Sequence, residues 1–539
     1  MNRVRFSSLP ALKGFNSDFR APRLDHVAFV ASQKIFGVDV TRRCLSTHYR
    51  PGPSLDLLRA GVLKYDRERT PPRPLTPEYL AALDSIREEF RPQESLIPIS
   101  TGAAFEHPDL PHSTSPGLDW IHKGYKTKRD CIQSYEAFSY VSRTWDMIGK
   151  GYKITLPDSC AYNRLQISER TKAPKVRPVW GYPFEVIIEE GRFFYPLLSS
   201  IKSKREDHCY AIGLEMANGG MSYINDAHQR LFLKKHDFWM NLDFSNYDAS
   251  VPSWLIRDVF NIISEWYDFS RIQSSDGRIW SVNPVQQRRR YAKFVNYFIN
   301  TTIRLPNGER YRKVSGVPSG SMFTNLIDTL CNAVICRFIA YHTTGSFPLF
   351  DLYMGDDGLL LIRGHANLKD WKRLAKRFFG MEFSADKAWV TKNPDNIHFL
   401  GFFNRCGLPK RNNDFLVRSF CYPERTVRNE IETACRAAGQ LYSCLDPRLA
   451  HRWLMVLEDC LSYSSLTYSD VEKFMMDNPH RFKYLRQLGL DLASLPSLSR
   501  MYNGAKLCFA VHPPLSPTRA FRRRPYSPEG RRYFQWIPF

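Results

Sequence analysis

Three aspartates raise the first chemical question. Asp356 and Asp357 stand side by side in the run Tyr353–Ile362, YMGDDGLLLI, and Asp243 ends the run FWMNLD at 238–243. Adjacent carboxylates repel each other, and burying them unpaired is costly. A divalent cation shared with an anionic substrate removes that cost. Hard oxygen ligands suit Mg²⁺, which takes one or two carboxylates and completes its shell with water and phosphate oxygens. Two such ions, about 3.5–4 Å apart, activate an attacking 3′-hydroxyl and stabilise a leaving pyrophosphate. Alone, the GDD triplet is a weak sign, because a solvated surface turn carries the same residues.

The aspartates need elements to bring them together. Residues 350–354 (FDLYM) and 359–363 (LLLIR) predict two strands joined by Gly355-Asp356-Asp357-Gly358, a hairpin with glycines at its bend. The stretch FWMNLDFSNYDASVPSWLIRDVF predicts a strand reaching Asp243, a turn holding Asp248, and a helix after Pro252. If that strand neighbours the hairpin, Asp243, Asp356 and Asp357 converge. From Ser315, SGVPSGSMFTNLIDTLCNAVICRFIAYH predicts a Ser/Gly-rich loop running into a helix with Leu326, Leu330 and Ile335 on its apolar positions. Gly316 and Gly320 permit close backbone approach, and a helix N-terminus favours anions. A capped core helix is the plainer reading, and both can hold at once.

Upstream, in TKAPKVRPVWGYPF, Lys172, Lys175 and Arg177 lie on a stretch whose prolines disfavour a helix. Closely spaced cations on an extended segment suit a triphosphate, Arg177 bidentately; a solvated loop is the alternative. A helix is expected over 368–379, packed through Leu368, Trp371, Leu374, Ala375 and Phe378, with Lys387 beyond it. HFLGFF at 398–403 reads as a buried strand.

Composition supports a large folded body. The 539 residues are 43% hydrophobic and 14% aromatic, enough for a sizeable core. Lys and Arg number 76 against 54 Asp and Glu, and the resulting +22 favours nucleic acid or an anionic surface, with plain solubility as the alternative. The 12 cysteines, from Cys44 to Cys508, form no C-x-x-C pair, and Cys331 and Cys336 suit neither a zinc knuckle nor a disulfide. Free thiols in a reducing compartment are expected. MNRVRFSSLPALKGF lacks a continuous apolar segment for secretion, and no apolar run approaches the roughly 20 residues that span a bilayer. A soluble intracellular protein without a membrane role follows as the expectation.

No internal repeat is evident. RTPPRPLTP at 69–77 reads as an extended linker or clamp, strands and helices alternate from about 100 to 405, and helical patterns such as ERTVRNEIETACRAAGQLYSCL dominate from about 406 to 500. The last 21 residues hold six arginines, one glutamate and six aromatic residues. Such a tail binds RNA through charge and stacking, or packs its rings on the protein body.

In their order along the chain, these segments resemble the motifs of a viral RNA-dependent RNA polymerase. KAPKVRP resembles motif F, DFSNYD motif A, SGVPSGSMFTNLID motif B, MGDD motif C, FSADKAW motif D and HFLGFF motif E. GYPFEVIIEEGRFFYPLL, VPSWLIRDVFNI and GVPSGSMFTNLID are similar to the polymerases of partitiviruses, double-stranded RNA viruses of fungi and plants, and the chain length resembles the gammapartitivirus group. The resemblance covers about 165–405. It implies an α+β right-hand polymerase fold of fingers, palm and thumb, with a mostly helical thumb and an N-terminal extension. The expected division is an extension linking fingers and thumb over 1–100, fingers over 101–235, palm over 236–270, a fingers insertion over 271–310, palm over 311–405, and thumb with tail over 406–539.

By the same resemblance, Asp243 and Asp356 hold two Mg²⁺ ions, with Mn²⁺ as an alternative, and Asp357 assists. Asp248 reads the ribose 2′-hydroxyl with Thr324 and the residue at 328. Many positive-strand virus polymerases have asparagine there; Asp328, if ionised, accepts but does not donate. Ser319 and Gly320 position template and nucleotide, Lys172, Lys175 and Arg177 bind the triphosphate, and Lys387 protonates the leaving pyrophosphate. The implied partners are template and product RNA, ribonucleoside triphosphates and viral capsid protein. The implied setting is a virion interior in the host cytoplasm, with the chain as both transcriptase and replicase. Two other readings share features. Reverse transcriptases usually carry a bulky residue five positions after the first aspartate, where Asp248 stands here. A non-catalytic RNA-binding or capsid protein accounts for the charge but gives no reason for aspartates at strand ends in a basic chain.

Overall fold

A computed structural model describes residues 6–21, 23–67, 70–174, 176–204, 208–364, 367–384 and 386–503. Lys175, Cys508 and the Arg-rich tail lie outside the described residues.

The centre is an antiparallel four-stranded sheet in the order Phe350–Met354, Asp357–Arg363, Asp237–Leu242, Trp389–Thr391. Its apolar runs are explained by cover on both faces. Leu360, Ile362, Met240 and Leu242 pack into one core with the helix Thr324–Thr344. Their neighbours Leu359, Leu361 and Trp239 face a second core with the C-terminal helices Asn413–Cys421, Glu430–Ser443 and Pro447–Ser464. The helix Thr324–Thr344 is buried on all sides from Leu326 to Ala340, which fits its lack of a polar stripe. The helix Leu368–Phe379 has the expected bounds and buries Trp371, Leu374, Ala375 and Phe379.

A five-stranded sheet follows the order Ser7–Leu9, Arg310–Arg312, Thr302–Arg304, Ser159–Leu165, Val176–Gly181. HFLGFF forms two short strands, His398–Phe399 and Phe402–Arg405, rather than one. Leu400 and Gly401 between them both take positive φ (50° and 84°), the geometry of a tight hairpin turn.

The first hundred residues are spread over the whole body. Ser7–Leu9 pairs with Arg310–Arg312, and the helix His26–Phe36 lies on Pro447–Ser464. Asp25 caps that helix and accepts bonds from Thr433 Oγ1 (2.6 Å) and Arg436 (2.8 Å). The run 70–76 has no regular structure before the helix Pro77–Phe90, which packs along Thr324–Thr344. Where those two helices meet, buried Arg337 pairs with Glu89 (2.6 Å) and with Asp351 of the central sheet (2.8 Å), and donates to Ser85 Oγ (3.0 Å). Among the described cysteines only Cys406 is exposed, and all are free. No helix among the described residues is long and apolar enough to cross a membrane.

Candidate active site

The aspartates meet through strand register. Leu242 pairs with Gly358, so one step along the antiparallel ladder Asp243 comes opposite Asp357. Met354 pairs with Asp357, so the hairpin turn is Gly355-Asp356 alone, and the second strand begins at 357 rather than 359. Gly355 takes φ +63°, as the first central residue of such a two-residue turn requires. Asp357 therefore belongs to the sheet, and Asp356 to the turn.

Main-chain anchors fix these positions. Thr329 Oγ1 accepts from Gly355 N (2.9 Å), and Asn332 Nδ2 donates to Gly355 O (3.0 Å), so the buried helix grips both sides of the turn glycine. Ser384 N donates to Asp243 O (2.7 Å). Beyond Asp243, Asn246 adopts the left-handed conformation (φ 51°, ψ 48°), which asparagine tolerates, and the chain enters the short helix Tyr247–Ser250 bearing Asp248.

The electrostatics are those of crowded, half-buried acids. Burial, then Asp356 and Asp243, push Asp357 up to about 7. Burial also raises Asp356, with Asp243 adding to it, and raises Asp248 to about 6. Asp328 is held well above the ordinary carboxylate range by burial, then by Asp248 and Asp356. Its Oδ1 is buried without a hydrogen-bond partner. Such a rise favours the neutral acid, which can donate as well as accept, as an asparagine does.

Among the described residues, two cations face this cluster. Lys387 Nζ lies 2.7 Å from Asp243 Oδ2, and an Arg177 guanidinium nitrogen 3.7 Å from Asp356 Oδ2. Lys172 goes elsewhere: it pairs with Glu169 (2.7 Å) and with Asp386, the neighbour of Lys387. Beside Asp243, Asp357 and Lys387 opens a cavity of about 240 Å³, closed opposite by His398, Leu400 and Gly401. Burial and Lys387 push His398 down to about 4.

Among the described residues no three acidic, His or Cys side chains close a cage around one point. The donor set still fits Mg²⁺. It is all carboxylate oxygen, and this ion needs only one or two protein carboxylates when phosphates and water supply the rest.

The loop after Ser315 packs between the Asp248 turn and the Arg177 strand. Val317 N donates to Asp248 O (2.6 Å) and Gly316 N to Val251 O (2.9 Å). Ser319 Oγ donates to Pro178 O (2.9 Å), and Thr324 Oγ1 donates back into the loop, to Pro318 O (2.6 Å). Buried Lys313 Nζ reaches Phe298 O (2.5 Å), Ile299 O (2.8 Å) and Gly316 O (2.8 Å), capping one helix and pinning the loop's start. A Cβ on Gly320 would lie 2.3 Å from Trp180 O, and that contact is backbone, so it cannot yield by a side-chain rotation. Gly320→Ala is expected to displace Ser319 and Arg177 together. The check is a steady-state comparison in which the apparent nucleotide KM rises about tenfold or more while the melting midpoint stays close to wild type.

At the loop's far end, Glu190 accepts from Ser321 Oγ (2.7 Å) and Met322 N (2.8 Å). Glu190 is fully buried, and burial pushes it up to about 8 from an ordinary 4.5. A folded value above the unfolded one means that the protonated acid is favoured in the fold. Its contribution is complete below about pH 4.5 and is lost as pH rises through about 8. Glu190→Gln keeps an acceptor for Met322 N, and the Ser321 hydroxyl can turn to accept from the amide. Melting curves are expected to show wild type losing stability between about pH 4.5 and pH 8 more steeply than E190Q, and the two running parallel above that.

The geometry thus gathers Asp243, Asp356, Asp357, Asp248, Asp328, Arg177 and Lys387 around one cleft, with Ser319, Gly320 and Thr324 on an adjoining loop. It leaves Lys172 on the rim. Sequence reasoning missed Glu190, Lys313, Thr329 and Asn332, which serve main-chain groups or the loop. The one available signal was a glutamate pair inside an apolar helix, FEVIIEEGRFF.

Comparison with solved structures defines the class. A Sicinivirus 3Dpol RNA-dependent RNA polymerase superposes with a TM-score of 0.65 over 90% of this chain and 100% of that one, at 13% identity, so the fold is that of the right-hand polymerases. The chain belongs to the viral RNA-dependent RNA polymerase family, whose profile it matches over residues 24–431. Among curated relatives, the RNA-directed RNA polymerase of Atkinsonella hypoxylon virus is 27% identical over 328 residues, 53% of this chain and 48% of the relative. That of Cryptosporidium parvum virus 1 is 28% identical over 261 residues, 47% and 43% of the two chains. That of White clover cryptic virus 1 is 24% identical over 324 residues, 56% and 51%. The matched part spans about half the length of each relative. These relatives are of the partitivirus-like kind that the motifs resemble.

Proposed function

We propose that this chain is a template-directed RNA polymerase that joins ribonucleoside triphosphates with release of pyrophosphate, and that it both transcribes and replicates a double-stranded RNA genome. The observation that carries this reading is the gathering of Asp243, Asp356 and Asp357 at adjoining strand ends, in a chain of net charge +22. A protein that only bound RNA would be weakened by such carboxylates. Asp243 and Asp356, with Asp357, would hold Mg²⁺, or Mn²⁺ in its place. Bound there, the metal supplies activation of a 3′-hydroxyl and charge neutralisation on the phosphates.

The chain's own groups do the rest. Arg177 leaves Asp356 for the triphosphate, and Lys387, already at Asp243, is placed to give a proton to the departing pyrophosphate. Asp248 accepts the ribose 2′-hydroxyl, and Asp328, as a neutral acid, offers the complementary donor. Thr324 assists Asp248 at the ribose, and Ser319 and Gly320 position template and incoming nucleotide. Lys172, tied to Asp386, steadies the Lys387 turn and meets phosphates only at the rim. Lys175 keeps its proposed triphosphate role on sequence grounds.

In this reading, residues 101–235 and 271–310 are fingers, 236–270 and 311–405 palm, and 406–539 thumb and tail. The segment 1–100 ties them together. Template, product RNA and capsid protein are the partners, and a virion in the host cytoplasm is the setting. The test is incorporation of labelled ribonucleotide on an RNA template with Mg²⁺, beside a tube of deoxyribonucleotides. Ribonucleotide incorporation is expected; deoxyribonucleotide incorporation would move the assignment to reverse transcription.

A further inference from the structure

The segment Tyr65–Arg67, just after the helix Leu55–Leu63, passes behind the site and touches three of its elements. Tyr65 is 3% exposed, and its hydroxyl donates to Val317 O at 3.0 Å. Its ring packs on Trp180 at 5.2 Å and closes against Gly316, where a Cβ would come within 2.9 Å of ring carbons. Two residues on, Arg67 donates to Ser250 O (2.7 Å) and to Gly380 O. Ser250 ends the short helix of Asp248, and Gly380 ends the helix that precedes Lys387.

Val317 is the hub of this arrangement. Its N–H goes to Asp248 O at 2.6 Å, and its carbonyl goes to the Tyr65 hydroxyl. Any shift of the carbonyl is passed across a single residue to the main chain of Asp248. Arg67 braces the other end of the same turn. All the acceptors are carbonyls, so these bonds constrain backbone position rather than side-chain identity.

We propose that Tyr65 and Arg67 are positioning residues for the nucleotide site: gripping Val317 and Ser250 from one short segment, they set Asp248 against the Ser319 loop and so govern discrimination of ribose from deoxyribose. This rests on the polymerase reading above. Tyr65→Phe keeps the ring packing and removes only the donor. Its ratio of kcat/KM for ribonucleotide over deoxyribonucleotide is expected to fall about 5–10-fold, mainly through a higher ribonucleotide KM. Arg67→Met is expected to act in the same direction, and Arg67→Lys, which can serve one carbonyl, to restore part of the ratio.

Hydrogen exchange on the full chain supplies a second readout independent of turnover. Exchange is expected to rise over 247–251 and 315–323 in Y65F and to stay at wild-type level elsewhere. An unchanged sugar ratio in both variants, or equal losses for both sugars with exchange raised throughout the molecule, overturns the proposal. Wild-type protein that incorporates no ribonucleotide overturns the polymerase reading instead, and the exchange pattern then decides the clamp by itself.

Discussion

Asp356→Asn is expected to lower nucleotide addition by about 10³-fold or more, a loss of several kcal/mol of transition-state stabilisation. The substitution is nearly isosteric and sits in a two-residue turn whose glycine is held by Thr329 and Asn332, so the fold has no reason to change. It removes one negative charge from a crowded acidic cleft, so affinity for RNA is expected to hold or rise slightly. Single-turnover extension and RNA titration on the same preparation separate the two effects. A parallel loss of binding and extension would count against a catalytic role for the hairpin. Mg²⁺ gives an independent check, since a ligand that binds the native state raises its melting midpoint. The rise seen with wild type should be largely absent in D356N.

Arg337→Met is expected to cost about 3–5 kcal/mol of stability, because it removes the guanidinium that pairs with buried Asp351 and half-buried Glu89. At the side chain Arg337, Asp351 and Glu89 are 5%, 2% and 12% exposed, so the cluster is largely shielded from solvent. The lost contacts join the helix Pro77–Phe90, the helix Thr324–Thr344 and the outer strand of the central sheet. Denaturant unfolding followed by far-ultraviolet circular dichroism measures the effect as a lower midpoint. Arg337→Lys, which keeps the charge but not the fork geometry, should fall between the two.

Much of the site was legible because short-range pattern and chain order carry it. The apolar runs around Met240 and Leu360 marked the strands, and their pairing in a sheet covered on both faces, which the sequence left conditional, puts Asp243 beside Asp357. The helix Leu368–Phe379 followed from periodicity alone. The turn size did not, because glycine at both 355 and 358 suits either a two- or a four-residue bend, and only pairing of Met354 with Asp357 decides. Lys172 looked like a phosphate ligand because its partner Asp386 is 214 positions away in the sequence. Tyr65, Arg67 and Lys313 stayed invisible for a different reason: they bond to carbonyl groups, which every residue has, so no partner type marks them.

The pairing of Ser7–Leu9 with Arg310–Arg312, and of His26–Phe36 with Pro447–Ser464, bears on how the molecule is made. Ribosomes deliver residues in order, at about 5–20 per second. Ser7–Leu9 and His26–Phe36 thus wait tens of seconds for partners that lie several hundred positions further along the chain. Until the helix Pro447–Ser464 leaves the exit tunnel, the helix His26–Phe36 lacks one of its main partners, and a chain cut short before that point leaves part of its apolar face uncovered. The helix His26–Phe36 thus behaves as a latch that a helix far along the chain must close, and chaperone demand should persist until Pro447–Ser464 has been made.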